Sequence, residues 1–297
     1  MTQVDLTFRE LRATETTYIS KMAAVVRGVA QPALVGRLID DATHERVFSC
    51  LEAIISLHER ISEQLQVART PAEHAQAFLN VWEELNRLYV AYVTRDDALD
   101  FDELRRIMRE NAPVKALCDE LEASQPGSPV ETGLILPCSR LPRYCLLLKH
   151  CLKHMDAENI DRPVVAHLLH LLNQLTEAIN ESRRLSFNRR EYLEIAQELP
   201  AILSPTRVLL ETHQVLIRSH GRTVQARLTL FNDAVLLCKV RHNKLRQLEF
   251  GSLADFRARA GALPVELELA GRNDVYQLCV IHEAKRNELL ELLRGGD

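Results

Sequence analysis

A helical bundle followed by a small β-sandwich or barrel, closed by a C-terminal helix, is the fold class this sequence predicts. Three observations predict it. Up to about Gln197, apolar residues recur at spacings of three and four. Pro200 and Pro205 then end the last helical stretch. From Val224 onward the apolar residues alternate with polar ones, a period of two. The chain therefore reads as multidomain, α then β, with an elongated all-α bundle over 1–198 and a β domain over 199–297.

The elements follow in order. Leu11, Tyr18, Met22 and Val25 share one face of a first helix. Further helices are expected near 45–66, 72–93, 101–123 and 141–155, separated by breakers at Pro71, Arg95-Asp96-Asp97 and Pro126-Gly127-Ser128-Pro129. Pro137 and Pro142 predict a short kinked lead into the helix that follows. Val165, Leu168, Leu169, Leu172, Leu175 and Ile179 line one face of a long last helix, and the charged segment 181–198 is expected to extend it and couple the two domains rigidly. In the second half, Val224, Ala226, Leu228 and Leu230 mark a strand, Asn232-Asp233 a turn, and Ala234–Val240 the returning strand. Leu245–Phe250, Val265–Leu269 and Val275–Ile281 add three more, and His282–Leu293 a closing helix with Leu289, Leu292 and Leu293 on one side.

Composition limits the function. Of 297 residues 46% are hydrophobic, enough for buried cores, and the net charge is −4, which excludes a global basic field for nucleic acid. The seven cysteines include no CxxC pair and read as reduced thiols. The opening MTQVDLTFRE turns polar at once, unlike a signal peptide, and no apolar run approaches a membrane span. The expected compartment is the cytoplasm, with peripheral membrane contact left open.

Covalent chemistry finds no support. There is no GxxxxGKS loop, no GxGxxG after a strand, no GxSxG and no HExxH. His150 and His154 stand four apart but lack a third ligand, so they read as an exposed helix face. His167 and His170 read the same way, Cys145 and Cys151 as structural thiols, and Asp96-Asp97 as a solvated loop. No cofactor and no metal are expected.

One constellation stands out. Residues 134–152 hold Arg140, Arg143 and Lys149, and no acidic residue occurs between Glu131 and Asp156. A local basic surface in an acidic chain fits an acidic partner; a buried helix with snorkelling ends fits equally well. The residue order goes further. Leu134, Ile135, Pro137, Arg140, Pro142, Arg143, Tyr144, Leu146, Leu147 and Leu148 closely resemble the third conserved region of Dbl-homology domains, LIKPxQRxPRYPLLLxxL. Glu10 to Tyr18 (ELRATETTY) is similar to the family's first region, and Ile179-Asn180-Glu181 matches the INE of its last helix. The second region, Phe78 to Tyr92, matches loosely through Trp82, Tyr89 and Tyr92. A pleckstrin-homology domain follows the bundle in this family, so the resemblance covers nearly the whole chain.

The resemblance implies guanine-nucleotide exchange on a Rho-family small GTPase, with preference for its nucleotide-free state and no covalent step by the chain itself. It implies that Glu10 contacts the first switch of the GTPase and that Arg143 and Asn180 contact the second, with Ser139, Arg140 and Glu181 on the same docking face. Tyr144 and Leu146–Leu148 read as core rather than contact. Three departures stand in the third region: Leu136 replaces a lysine, Ser139 a glutamine and Cys145 a proline. They leave a second reading open, a scaffold or adaptor that binds a GTPase or a membrane without exchange. For the β domain, the resemblance points to phosphoinositide contact through Arg218, Arg222 and Arg227, with Lys239, Arg241, Lys244 and Arg246 nearby. The tight KxnRxR spacing is absent and the closing helix has no tryptophan, so weak membrane contact or a purely structural role is expected.

Overall fold

The computed structural model describes residues 2–94, 101–127, 129–219, 222–242 and 244–294. The Arg95-Asp96-Asp97 cluster, Ser128 and the side chain of Arg222 lie outside the described residues. The chain forms two compact units, Met1–Arg183 and Arg184–Asp297.

The first unit is helical. Helix α1 (Gln3–Val25) starts at Thr2, whose hydroxyl accepts from the Asp5 amide while the Asp5 carboxylate accepts from the Thr2 amide. A π-turn over Val26–Ala30 leads into α2 (Gln31–Val35). Helices α3 (Asp41–Phe48) and α4 (Leu51–Val67) meet at Cys50, which turns the chain with φ 64°. The expected helix at 72–93 is two, α5 (Pro71–Leu79) and α6 (Trp82–Thr94). Pro71, expected as a breaker, opens α5 at its first turn behind the Thr70 cap, where a missing N–H costs nothing. The expected 101–123 helix likewise divides into α7 (Phe101–Glu110) and α8 (Ala112–Ser124), with Asn111 capping the Val114 amide.

Helix α9 (Val130–His154) corrects the expected kink: both Pro137 and Pro142 lie inside one continuous helix. Each proline removes one backbone donor. Packing against α1 offsets that loss, and Gly133 makes the approach close; a Cβ there would stand 2.3 Å from Val25 Cγ2. Helix α10 (Arg162–Glu198) supplies Val165, Leu168, Leu172, Leu175 and Ile179 to the bundle core on the face the spacing predicts.

The second unit is a seven-stranded antiparallel sheet in the order β4-β3-β2-β1-β7-β6-β5. Its strands are β1 (Leu209–Ser219), β2 (Arg222–Phe231), β3 (Ala234–Arg241), β4 (Lys244–Ser252), β5 (Arg257–Ala260), β6 (Glu266–Ala270) and β7 (Val275–Cys279). Two were not expected. In β1, Val215 and Ile217 point inward, but the inward position before them is His213 and the outward ones include Leu210 and Leu216, which blurs the alternation. Strand β5 (RARA) is short and has no large apolar residue.

Leu228 and Leu237 pair across β2 and β3 and face the same side as Leu267, Leu269 and Leu278. Helix α11 (Glu283–Arg294) covers this side with Leu289, Leu290 and Leu293; Leu292 is outside the core. The other side receives the last turns of α10, where Tyr192, Ile195 and Ala196 pack with Leu209, Phe231 and Leu236. Those turns share their core with the sheet, which is why the unit begins at Arg184 rather than at 199.

Candidate functional site

Helices α1 and α9 run antiparallel and exchange polar contacts along their length. Thr7 Oγ1 is 3.0 Å from His150 Nδ1, Arg143 Nη2 donates to Glu10 Oε1 at 3.0 Å, and Arg140 Nη2 donates to Glu15 Oε2 at 2.5 Å. The outer pair and the inner pair differ in kind. The Glu10 and Arg143 side chains keep 51% and 53% of their surface in solvent, whereas Glu15 and Arg140 keep 0% and 4%.

Around the outer pair lie apolar side chains that water reaches. Leu6, one turn before Glu10, is 39% exposed, and Leu146, one turn after Arg143, is 67% exposed. Leu146 thus leaves the core in which its neighbours Leu147 and Leu148 are buried, correcting the expectation for that position. Ser139 is exposed and donates its hydroxyl to the Leu136 carbonyl at 3.0 Å. On α10, Asn180 and Glu181 are both exposed. Thr176, one turn before Asn180, brings its hydroxyl 3.9 Å from Cys145 Sγ of α9. Mixed charge and exposed leucine on neighbouring helices is the composition of a protein-docking face.

Beneath this face is a buried polar network. Glu15 Oε1 accepts from His58 Nδ1 at 2.6 Å, and Tyr144 Oη donates to Glu15 Oε2 at 2.5 Å. His58 Nε2 lies 2.9 Å from Tyr89 Oη, which lies 3.1 Å from Tyr18 Oη. Since a carboxylate only accepts, His58 carries its proton on Nδ1 when neutral; Tyr89 then donates to Nε2 and accepts from Tyr18. The Arg140 guanidinium sits 4.4 Å from the Tyr144 ring centroid. Burial by itself raises the Glu15 carboxyl, but His58, Arg140 and the Tyr144 hydrogen bond outweigh it and hold the carboxyl below its ordinary value. Burial pushes the Tyr18 and Tyr144 phenols well up, so both stay protonated.

Arg140, expected on the same face as Arg143, is therefore not on this exposed face. It is consumed by Glu15 within the core, because its phase on α9, one turn before Tyr144, points inward. The residues sequence reading did not assign are Glu15, His58 and Tyr18 as a polar core. A signal existed: Glu15 and Tyr18 fall in phase with Leu11 and Met22 on the apolar stripe of α1.

Arg218 and Arg227 of the sheet domain do not converge, whereas Lys239 and Arg246, and Arg241 and Lys244, stand opposite one another across β3 and β4. Arg218 pairs with Glu266 at 2.8 Å and Arg227 reaches Glu191 at 3.9 Å. Arg218 stands opposite Thr223 in the β1–β2 hairpin, so it and Arg227 are about 13 Å apart along the strands. Among the described residues no group of three His, Cys, Asp or Glu could hold a metal, and no helix is long and apolar enough to cross a membrane. None of the seven cysteines is in a disulfide, and burial pushes the thiols of Cys118 and Cys151 up to about 11 and that of Cys238 up to about 12, unsuited to nucleophilic work.

A helical unit with an exposed face of mixed charge and leucine, followed by an antiparallel seven-stranded sheet and a C-terminal helix, is the architecture of a Dbl-homology region with a pleckstrin-homology-like companion. The RhoGEF domain model matches residues 7–180, and the chain belongs to that family. It is similar to the Rac guanine nucleotide exchange factor JJ of Dictyostelium discoideum, 24% identical over 245 residues, covering 77% of this chain and 20% of that protein. It is also similar to the Rho guanine nucleotide exchange factor 17 of Homo sapiens, 24% identical over 265 residues, covering 82% of this chain and 13% of that one. The chain thus spans a fifth or less of the length of these relatives. In fold it resembles the DH/PH fragment of PDZRHOGEF as seen in complex with human RhoA, with TM-score 0.82 and 17% identity, covering 97% of this chain and 92% of that one.

Proposed function

We propose that this chain is a guanine-nucleotide exchange factor for a Rho-family small GTPase. The observation that carries this reading is the placement of Glu10 and Arg143. They are 133 residues apart in sequence yet share one exposed surface, beside the exposed Leu6 and Leu146, while the neighbouring motif residues Glu15 and Arg140 are sealed beneath. The PDZRHOGEF fragment, which shares the fold, was solved bound to RhoA, and this supports the choice of partner.

In this reading Glu10 draws the first switch away from the nucleotide, and Arg143 and Asn180 hold the second, with Ser139 and Glu181 at the margin. The chain binds the nucleotide-free, magnesium-free GTPase best, and by reciprocity it weakens nucleotide binding to the same degree. Magnesium demands near-ideal octahedral geometry, so a small displacement of its surroundings suffices to release it. No bond is made or broken by the exchanger. The setting is the cytoplasm, with weak peripheral contact to phosphoinositide membranes by the sheet domain.

A second reading, a scaffold that binds the GTPase without exchange, is favoured by Leu136 and Ser139, which stand where the family has lysine and glutamine. Release of fluorescent GDP from a panel of Rho-family GTPases separates the two. Acceleration that Glu10→Ala and Asn180→Ala abolish supports the exchanger; flat traces with binding retained support the scaffold.

A further inference from the structure

The side of α1 turned away from Glu10 holds a cleft that nucleotide exchange does not use. Arg12 follows Glu10 by two residues, about 200° round the helix. There the first turns of α1 meet the end of α4 and the start of α5 around an open cleft of about 350 Å³. Val4, Phe8 and Pro71 give it apolar walls, and Arg12, Arg69 and Asp5 supply its charges.

One wall fixes the Arg12 guanidinium without neutralising it. His74 is buried, and the Phe8 ring stacks on it with 4.3 Å between centroids. His74 Nδ1 lies 2.7 Å from the Thr70 carbonyl, which only accepts, so Nδ1 carries a proton. His74 Nε2 lies 2.7 Å from Arg12 Nη1, which only donates, so Nε2 accepts and the ring is neutral. Burial first, and then the Arg12 charge, hold this imidazole below its ordinary value. Among the described residues neither Arg12 nor Arg69 has an ion pair. The nearby carboxylates serve the helix starts instead. Glu73 Oε2 accepts from the Arg69 and Thr70 amides at 2.6 and 3.1 Å, and Asp5 Oδ2 accepts from the Thr2 amide at 2.7 Å.

Two arginines against the single carboxylate of Asp5 leave the lining with a surplus of one positive charge. A guanidinium fork matches a carboxylate through parallel N–H···O bonds, and Arg12 spends only one donor on His74. We propose that this cleft binds a small organic monocarboxylate, its carboxylate on Arg12 and Arg69 and its apolar body against Val4, Phe8 and Pro71. The surplus of one charge selects a monoanion, because a phosphate dianion would meet Asp5 with charge left uncompensated. The volume stands at the low end of ligand pockets and suits a body of about one ring. The cleft shares no residue with the face around Glu10 and Arg143, so the inference stands apart from nucleotide exchange and survives if that reading fails.

The test titrates benzoate, phenyl phosphate and benzyl alcohol separately into the full chain and follows the ring signals of His74 and Phe8 by NMR. Benzoate should shift both saturably with a Kd of about 1 mM, ordinary for a ligand of this size. Phenyl phosphate should bind more weakly, and neutral benzyl alcohol about tenfold more weakly or not at all. Arg69 is exposed, so Arg69→Ala should leave the fold intact, checked by circular dichroism, and weaken benzoate about three- to tenfold. Arg12→Ala should weaken it about tenfold or more, and Asp5→Asn should narrow the preference for benzoate over phenyl phosphate. No saturable shift at about twenty times the expected Kd, or shifts confined to other rings, would overturn the proposal. So would benzyl alcohol or phenyl phosphate binding as tightly as benzoate, or benzoate affinity unchanged in a folded Arg69→Ala chain.

Discussion

Glu10 and Arg143 join α1 to α9 through a 3.0 Å contact between half-exposed side chains, directly above the sealed Glu15–Arg140 pair. The two ion pairs have opposite duties. An exposed pair contributes about 0–1 kcal/mol and gives up its partner readily, whereas a buried charge left alone costs about 3–5 kcal/mol.

Exchanging the outer charges tests the first duty. Glu10→Arg with Arg143→Glu keeps the local pair and should leave the urea midpoint nearly unchanged. GDP release should nevertheless fall about 30-fold or more, the loss of a 2 kcal/mol docking contact, because each side chain is assigned its own place on the GTPase. Recovery of exchange in the swapped protein would show that the pair acts only within the chain.

Removing the inner carboxylate tests the second. Glu15→Ala should destabilise the helical unit by about 3–5 kcal/mol by stranding Arg140. Tyr144→Phe, which deletes one hydrogen bond and little volume, should cost about 1–2 kcal/mol. Chemical denaturation followed by far-ultraviolet circular dichroism measures both.

The same network sets a pH dependence. Glu15 has its carboxyl held below the ordinary value of 4.5, so its contribution is fully present above that pH and disappears as pH falls through the lower folded value. Other carboxylates with lowered values, such as Asp40 and Asp233, follow the same sign. The informative quantity is therefore the difference between wild type and Glu15→Gln. That difference should shrink on acidification below about pH 4.5.

Gly133 should tolerate no side chain while Val25 keeps its own. A methyl at 133 meets Val25 Cγ2 at 2.3 Å, and a valine on helical backbone has little rotamer freedom with which to move away. Gly133→Ala should cost about 1–3 kcal/mol, and Val25→Ala in the same chain should return part of it; thermal melts of the single and double variants decide.

Restoring the family's side chains should separate exchanger from scaffold. Leu136→Lys with Ser139→Gln should raise GDP release; Ser139 is exposed, while Leu136 is half-buried against the helical core, so the lysine should also cost a little stability, which thermal melts measure. No gain on any GTPase tested would mean that these departures leave activity unaltered.

Much of this was legible in the residue order. Periodicity alone marks the change from helices to strands, the face of α10 that carries Val165 through Ile179, and the Asn232-Asp233 turn. The boundary at Pro71 is legible, but the breaks at Asn80-Val81 and Asn111 are not: no glycine or proline marks the first, and at the second Pro113 sits in the first turn of the helix that Asn111 caps, where a proline is compatible with helix. Strand β1 was missed because alternation is a statement about two faces, and its outward face is also partly apolar.

What the sequence by itself determined is the set of polar residues around α1 and α9, their order and the family they belong to. Which of them face outward was decided only by tertiary structure. Arg140 and Arg143 are three residues apart in one basic run, yet α9 turns the first into Glu15 and the second toward Glu10 and solvent. Charge carries no label for burial: a buried arginine needs an acidic partner within about 4 Å, and that partner, 125 residues away, becomes a neighbour only when the helices pack.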